Sequence, residues 1–136
     1  AAVEEEHSLL CSSPLLERAR HNGFGFLAHS PLAGGVLTGK YRHTTLPDSR
    51  AASAHLRSSV EPYLESSLPI VEALSQAAHG LECSITDVAL AWVEGAPGVT
   101  SAIIGPRNLV QLEQILNGRI DLPLPIRQVL SEVSAK

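Results

Sequence analysis

The sequence predicts an α/β fold with parallel strands. Three observations carry that reading. Strand-like stretches alternate with helical ones along the chain, the pattern expected of βα units. Val99–Ile104 is a β-branched, almost wholly apolar run, as in a strand buried on both faces of a parallel sheet. Gly, Pro and Asn punctuate the chain between these stretches.

Taken in order, residues 2–9 (AVEEEHSL) form a weak first strand, its three consecutive glutamates ill suited to a buried position. Ser13-Pro14 opens a helix, with a hydroxyl cap and a proline in the first turn, where no intrahelical N–H bond is needed. Leu15, Leu16 and Ala19 supply its inner face, and His21-Asn22-Gly23 ends it, Asn or Gly taking the left-handed position. Phe24–Ala28 is a buried strand. The SPLAGGVLTGKY stretch at 30–41 is too rich in glycine to continue it and predicts a strand end, a turn and a short helix.

Residues 42–58 are polar and aperiodic, which predicts a surface loop of the kind that serves as a mobile lid or binding loop. Leu64, Leu68, Val71, Leu74 and Ala78 recur at helical spacing, with Pro69 either disturbing that helix or marking the first turn of a shorter one and His79-Gly80 stopping it. Ser84-Ile85-Thr86-Asp87 is a capping box with the shorter acid, followed by Val88, Ala89 and a core Trp92 on one face. Gly95–Gly98 turns into the Val99–Ile104 strand. Asn108 caps a helix through Leu109, Leu112 and Leu116 that Asn117-Gly118 ends. A last helix over 124–134 presents Val129, Leu130 and Val133 on one side.

Composition narrows the classes of function. The 136 residues are 44% hydrophobic and 18% charged, a globular balance. Ten Lys and Arg against fourteen Asp and Glu leave a formal charge of −4 with no basic stripe, which argues against a nucleic-acid partner. Cys11 and Cys83 make neither a disulfide framework nor a zinc pair, and the six histidines show no HxH or HExxH spacing, so no metal is expected. There is no apolar run of membrane-spanning length and no signal-peptide pattern at the start, which makes the cytoplasm the expected location.

Two strand ends have the chemistry of an anion site. At His29–Gly35 a glycine-rich turn can offer backbone N–H groups, Ser30 adds a hydroxyl and Lys40 a point charge. A tight turn with a surface lysine is the structural alternative, and the spacing is not that of a P-loop, since Tyr41 follows Gly39-Lys40. At Gly105-Pro106-Arg107-Asn108 a helix N-terminus, the guanidinium of Arg107 and Gln111 one turn in can meet a phosphate. A capped helix with an exposed arginine is the alternative there. Together the two ends could hold the two phosphate regions of one extended cofactor.

Residues 24–41 (FGFLAHSPLAGGVLTGKY) resemble the seventh barrel strand and following loop of the aldo-keto reductases, and residues 88–116 resemble the segment from the penultimate helix through the eighth strand to the cofactor-phosphate helix. The resemblance covers essentially the whole chain. It implies the C-terminal part of a TIM (β/α)8 barrel, about strands six to eight with their helices, as a partial oxidoreductase domain over 1–136. It also implies NADP(H) as cofactor: Ser30, Leu32 and Gly34 along the pyrophosphate with Lys40 nearby, and Gly105, Arg107 and Gln111 around the adenosine 2′-phosphate. The substrate of the complete enzyme would be a small carbonyl compound.

The sequence departs from the family at Glu4, where a Gln often binds the nicotinamide amide, at His7, where Tyr is common, and at Gln114-Ile115, where Glu-Asn often contacts adenosine. The family's catalytic Asp, Tyr, Lys and His come from the first half of the barrel, and no residue here matches their motifs. The resemblance therefore implies no catalytic residue in this chain. Three expectations follow: an oxidoreductase fragment of a longer gene product, an inert NADP(H)-binding or regulatory module, or a nonfunctional truncation. Its open strand edges and apolar inner layer imply a complementing N-terminal half-barrel or self-association.

Overall fold

The computed structural model describes residues 1–41, 61–64 and 66–135; the predicted loop at 42–58 lies outside them. In chain order the elements are β1 (Ala2–Glu6), α1 (Leu15–His21), β2 (Gly25–His29), a 3-10 turn (Ala33–Thr38), α2 (Glu61–Leu64), α3 (Leu68–Leu81), α4 (Ile85–Glu94), β3 (Ser101–Ala102), α5 (Leu109–Asn117) and α6 (Leu124–Ser134). The three strands form one parallel sheet in the order β1-β2-β3. This is an α/β arrangement consistent with part of a TIM barrel. Among the described residues, no helix is long and apolar enough to cross a membrane.

The central strand sets the layering. Phe26 and Ala28 are fully buried, whereas Gly25, Leu27 and His29 are half-buried, the alternation that a pleat produces when helices cover one face. Register places Val3 beside Phe26 and Ala102 beside Ala28 on the helix side, and Glu4 and Ser101 beside Leu27 on the other. Glu4 and Glu6 of β1 thus lie on the uncovered face of an edge strand, while Glu5 pairs with Ala28 on the helix side. That face mixes Glu4, Glu6, His29 and Ser101 with Leu27, so it is more polar than the apolar inner layer the sequence predicts. Helices α1, α3, α4 and α6 close the other side around Leu16, Leu74, Val88, Val93 and Leu130.

Local signals in the sequence hold well. Ser13 Oγ accepts the Leu15 N–H at 3.1 Å, and Gly23 takes the left-handed position (φ 73°) after α1. Pro69 lies in the first turn of α3. Both hydrogen bonds of the capping box form, Asp87 N–H to Ser84 Oγ and Ser84 N–H to Asp87 Oδ2, each at 3.0 Å.

Four expectations are corrected. β1 ends at Glu6, and residues 7–10 turn inward behind a Ser8–Cys11 bridge, burying His7, Ser8, Leu9 and Leu10. Helix α3 runs past His79-Gly80 to Leu81 and is closed by Glu82 in the left-handed region (φ 56°). The run Val99–Ile104 is not buried on both faces: only Ser101–Ala102 are strand, Ser101 is exposed and Ile103 is 39% exposed, because β3 pairs with β2 alone. In α6 the inward residues are Leu130 and Ile126, and Val129 and Val133 face solvent.

The covering layer is locked by polar contacts. Arg127 of α6 donates to the carbonyls of Ala91 and Trp92 at 2.7 Å each, satisfying acceptors in the last turn of α4. Trp92 is buried, and its Nε1–H donates to Ser131 Oγ at 3.0 Å. Its indole stacks on the His7 ring at a centroid distance of 5.5 Å, and Phe26 meets the same ring edge-on. His7 Nδ1 faces the Ser13 N–H at 3.4 Å and therefore accepts, which leaves Nε2 carrying the proton with no partner. Burial lowers the His7 pKa below its ordinary value of 6.5. The unfolded chain thus takes up this proton more readily than the folded one. His7 costs no stability above pH 6.5 and progressively more as pH falls below it. Thermal melts should show lower stability at pH 5.5 than at 7.5, with a His7 share of up to about 1.4 kcal/mol per pH unit. That share should vanish in His7→Phe; an unchanged pH slope in the variant would contradict the assignment.

Candidate functional site

Strand β2 ends at His29, and the chain then turns through a run of left-handed residues. Ser30 (φ 51°), Ala33 (φ 50°), Gly34 (φ 67°) and Gly35 (φ 98°) all lie there. Two of the four are not glycine, and such strained backbone is held only where its surroundings fix it. Here Ala33 N–H bonds to Ser30 O at 3.0 Å, Gly35 N–H and Leu37 N–H both bond to Leu32 O at 3.1 Å, and buried Val36 and Leu37 pin the turn into the core. Ser30 stays exposed, with its Oγ 3.2 Å from His29 Nδ1.

The side chain of Lys40 folds back over the same turn. A Cβ at Gly35 would stand 2.7 Å from Lys40 Nζ, so this glycine leaves the room the lysine stem occupies. The ammonium lies 5.3 Å from the centroid of the Tyr41 ring.

The neighbouring strand delivers the second cluster. Ile103 N–H bonds to Ala28 O at 2.8 Å and keeps the chain alongside β2 as far as Gly105. Asn108 then caps α5, its Oδ1 accepting the Gln111 N–H at 2.9 Å. Gln111 Oε1 accepts the Arg107 N–H at 2.7 Å. That bond fixes the Gln111 amide with its NH₂ group as the donor left for a ligand.

Both clusters open onto one cavity of about 790 Å³. Ser30, Leu32, Gly34 and Lys40 line it from the β2 side, and Gly105, Arg107 and Gln111 from the β3 side. All seven residues singled out in the sequence are thus brought together. The size is that of a pocket for a substantial organic ligand, and the donors (a hydroxyl, an ammonium, a guanidinium and an amide) are those that bind phosphate oxygens.

The third wall comes from residues the sequence did not single out for binding. Ser84, Thr86 and Asp87, at the start of α4, face the cavity opposite the strand ends. Their sequence signal was a helix cap, and nothing local says that this cap borders a ligand space. Gln114, Ile115, Asn117 and Gly118, toward the C-terminal end of α5, complete the lining. Gly118 touches Asp87 so closely that a Cβ there would run into the carboxylate.

The two tyrosines stand apart from the cavity lining. Tyr63 OH donates to Glu6 Oε1 at 2.8 Å, and that bond, with burial and the glutamate's charge, pushes its pKa up to about 12. It is a poorer proton donor than an ordinary tyrosine.

Comparisons with known proteins agree with this architecture. The sequence profile of the Aldo/keto reductase family matches residues 1–131. The chain is 34% identical over 137 residues to the uncharacterized oxidoreductase YrpG of Bacillus subtilis (strain 168), covering 96% of this chain and 40% of that protein. It is 36% identical over 122 residues to aflatoxin B1 aldehyde reductase member 2 of Homo sapiens (77% and 33% covered). It is 33% identical over 115 residues to a probable voltage-gated potassium channel subunit beta of Oryza sativa subsp. japonica (83% and 35% covered). The solved structure of the thermostable aldo-keto reductase Tm1743 superposes with a TM-score of 0.64 at 20% identity, over 97% of this chain and 39% of that one. The chain therefore spans roughly a third to two fifths of the length of these proteins.

The strained turn yields a direct test. Gly35→Ala puts a Cβ on a left-handed backbone and displaces the Lys40 stem. It should cost about 1–3 kcal/mol, read as a lower midpoint in chemical denaturation. Gly80→Ala, where a Cβ meets open space inside a helix, should be neutral or slightly stabilising. Equal effects at the two glycines would refute the role given to the turn.

Proposed function

The chain belongs to the aldo/keto reductase family, and from that premise we propose that it is the C-terminal portion of an NADP(H)-linked oxidoreductase barrel, contributing about strands six to eight. The observation that carries the proposal is the single cavity onto which both donor-bearing strand ends open. Ligands of α/β barrels bind at the C-terminal ends of the strands, which is where His29–Gly35 and Gly105–Gln111 lie.

The residues present suit the cofactor. Ser30, Leu32, Gly34 and Lys40 would hold the pyrophosphate, and Gly105, Arg107 and Gln111 the 2′-phosphate. A guanidinium and an amide NH₂ at a helix start form a donor set for a dianion, which favours NADP(H) over NAD(H). Bound there, the cofactor would supply the hydride that a complete enzyme of this family transfers to an aldehyde or ketone carbonyl. The part of this chain is to bind and orient.

A second reading is a module that binds NADP(H) without turning it over. The state of the tyrosines favours it for this chain alone: neither lines the cavity, and Tyr63 is held with a raised pKa by Glu6. One relative is named as a probable voltage-gated potassium channel subunit beta and not as a reductase. Covering the uncovered sheet face and completing the catalytic set would be the task of an N-terminal half-barrel.

The test is a calorimetric titration of the 136-residue chain with NADPH, followed in parallel by Trp92 fluorescence. Saturable binding is expected, weakened about tenfold or more by Arg107→Ala, the worth of a charge-assisted hydrogen bond. A folded chain that does not bind NADPH, or binds it unchanged after Arg107→Ala, would refute the proposal.

A further inference from the structure

We infer that Asp87 determines base specificity in this cavity by accepting hydrogen bonds from the exocyclic amine of an adenine ring, an inference that rests on the nucleotide reading above. Helix α5 borders the cavity from its first turn to its last. Arg107 and Gln111 stand at the N-terminal end of α5, while Gln114, Ile115, Asn117 and Gly118 line the cavity toward its C-terminal end. Seven residues separate Gln111 from Gly118, about 10 Å at 1.5 Å per residue. That distance matches the reach from a ribose 2′-phosphate across the attached purine to its far edge.

The chemistry of that far end is unlike that of the phosphate end. Ile115 gives an apolar surface against which a flat ring can lie. Beside it stands Asp87, wedged against Gly118 and lining the same space. Its Oδ2 accepts the Ser84 N–H at 3.0 Å, and among the described residues it has no cationic partner. An ionised carboxylate can accept about four hydrogen bonds, so acceptor capacity remains. Such a group rewards a ligand that brings N–H donors and penalises one that brings oxygen lone pairs. It also repels phosphate, which keeps the anionic end of the ligand with Arg107 and Lys40. A 6-aminopurine meets these conditions, and a 6-oxopurine presents the wrong polarity to the same atom.

Asp87 thereby supplies the polar contact that Ile115 lacks. Its position is set by the capping box on one side and by the absence of a Cβ at Gly118 on the other.

The experiment is a calorimetric comparison of three half-cofactor probes on the 136-residue chain: adenosine 2′,5′-bisphosphate, inosine 2′,5′-bisphosphate and 5′-AMP. The inosine compound should bind about tenfold more weakly than the adenosine one, since a site built around a donor rejects a ligand that lacks it. Asp87→Asn keeps the acceptor for Ser84 N–H and adds an NH₂ donor for a 6-oxo group, so it should bring that ratio close to one. Equal binding of the two bisphosphates by the unmodified chain, or an adenine preference that survives Asp87→Asn, overturns the inference and leaves the nucleotide reading standing. Binding of 5′-AMP as tight as that of the adenosine bisphosphate overturns the 2′-phosphate reading instead. Failure of all three probes to bind overturns both.

Discussion

The parallel pairing of β2 with β3 is the constraint on which the candidate site depends. Two adjacent parallel strands run in the same direction about 4.8 Å apart, so the loops leaving their C-terminal ends are neighbours. The ladder here is short, Leu27 with Ser101 and Ala28 with Ala102. It is extended by Thr100 N–H to Phe26 O and Ile103 N–H to Ala28 O, both at 2.8 Å, and by Phe26 N–H to Thr100 Oγ1 at 3.1 Å. These few bonds bring the Ser30–Lys40 turn and the Gly105–Gln111 helix start, some seventy residues apart in sequence, to one cavity. Were β3 displaced from β2, each loop would remain locally well formed and the cavity between them would be lost.

Helix α4 is the support behind that pairing. Its buried face (Val88, Ala89, Trp92 and Val93) packs under the sheet and the 3-10 turn. Each end of the helix is tied to something else. At its C-terminal end, Arg127 and Ser131 of α6 bind the last carbonyls and the indole N–H. At its N-terminal end, the Ser84–Asp87 box satisfies the free amides and sets a carboxylate against Gly118 at the close of α5. Helix α5 buries no residue of its own, with Leu109, Val110 and Leu116 exposed. Its placement therefore rests on its two ends, the Asn108 cap beside β3 and the contact with α4, and not on a packed face.

This division between ends and faces explains how much was legible in the sequence. Features settled within a few residues were readable: the Ser84-Asp87 box, Pro69 in the first turn of α3, Gly23 after α1, and the glycine turn at 34–35 with its 3-10 continuation. The seven candidate ligand residues line one cavity because Ser30, Leu32 and Gly34 follow β2, Lys40 folds back over that turn, and Gly105, Arg107 and Gln111 flank the start of α5. Features that depend on what lies alongside were not readable. Val99–Ile104 has the composition of a doubly buried strand, yet β3 has one neighbour and is partly exposed. The apolar residues of α6 allow several inward faces, and packing against α3, with the ties of Arg127 and Ser131 to α4, selects Leu130 with Ile126. Asp87 carries a strong cap signal, while its place in the cavity wall depends on a glycine thirty-one residues later.

The same reasoning bears on what the chain can do by itself. The polar groups named at the cavity are suited to holding a ligand: hydroxyl, ammonium, guanidinium, amide and carboxylate, with the Gln111 amide and the Asp87 carboxylate held by hydrogen bonds at helix starts and the Lys40 stem seated in the room Gly35 leaves. His29 also lines the cavity, its Nδ1 3.2 Å from Ser30 Oγ, whereas the two tyrosines and His7 lie outside its lining. Tyr63 is tied to Glu6 with its pKa pushed up to about 12, and His7 is enclosed by Trp92 and Phe26 with its pKa lowered. Binding requires donors and acceptors at set distances, which a capped helix and a pinned turn supply without further neighbours. Proton transfer to a substrate requires an acid facing the reacting atoms, and neither tyrosine lines the cavity at the strand ends. The order in the described residues is therefore concentrated at the cavity that the two strand ends share.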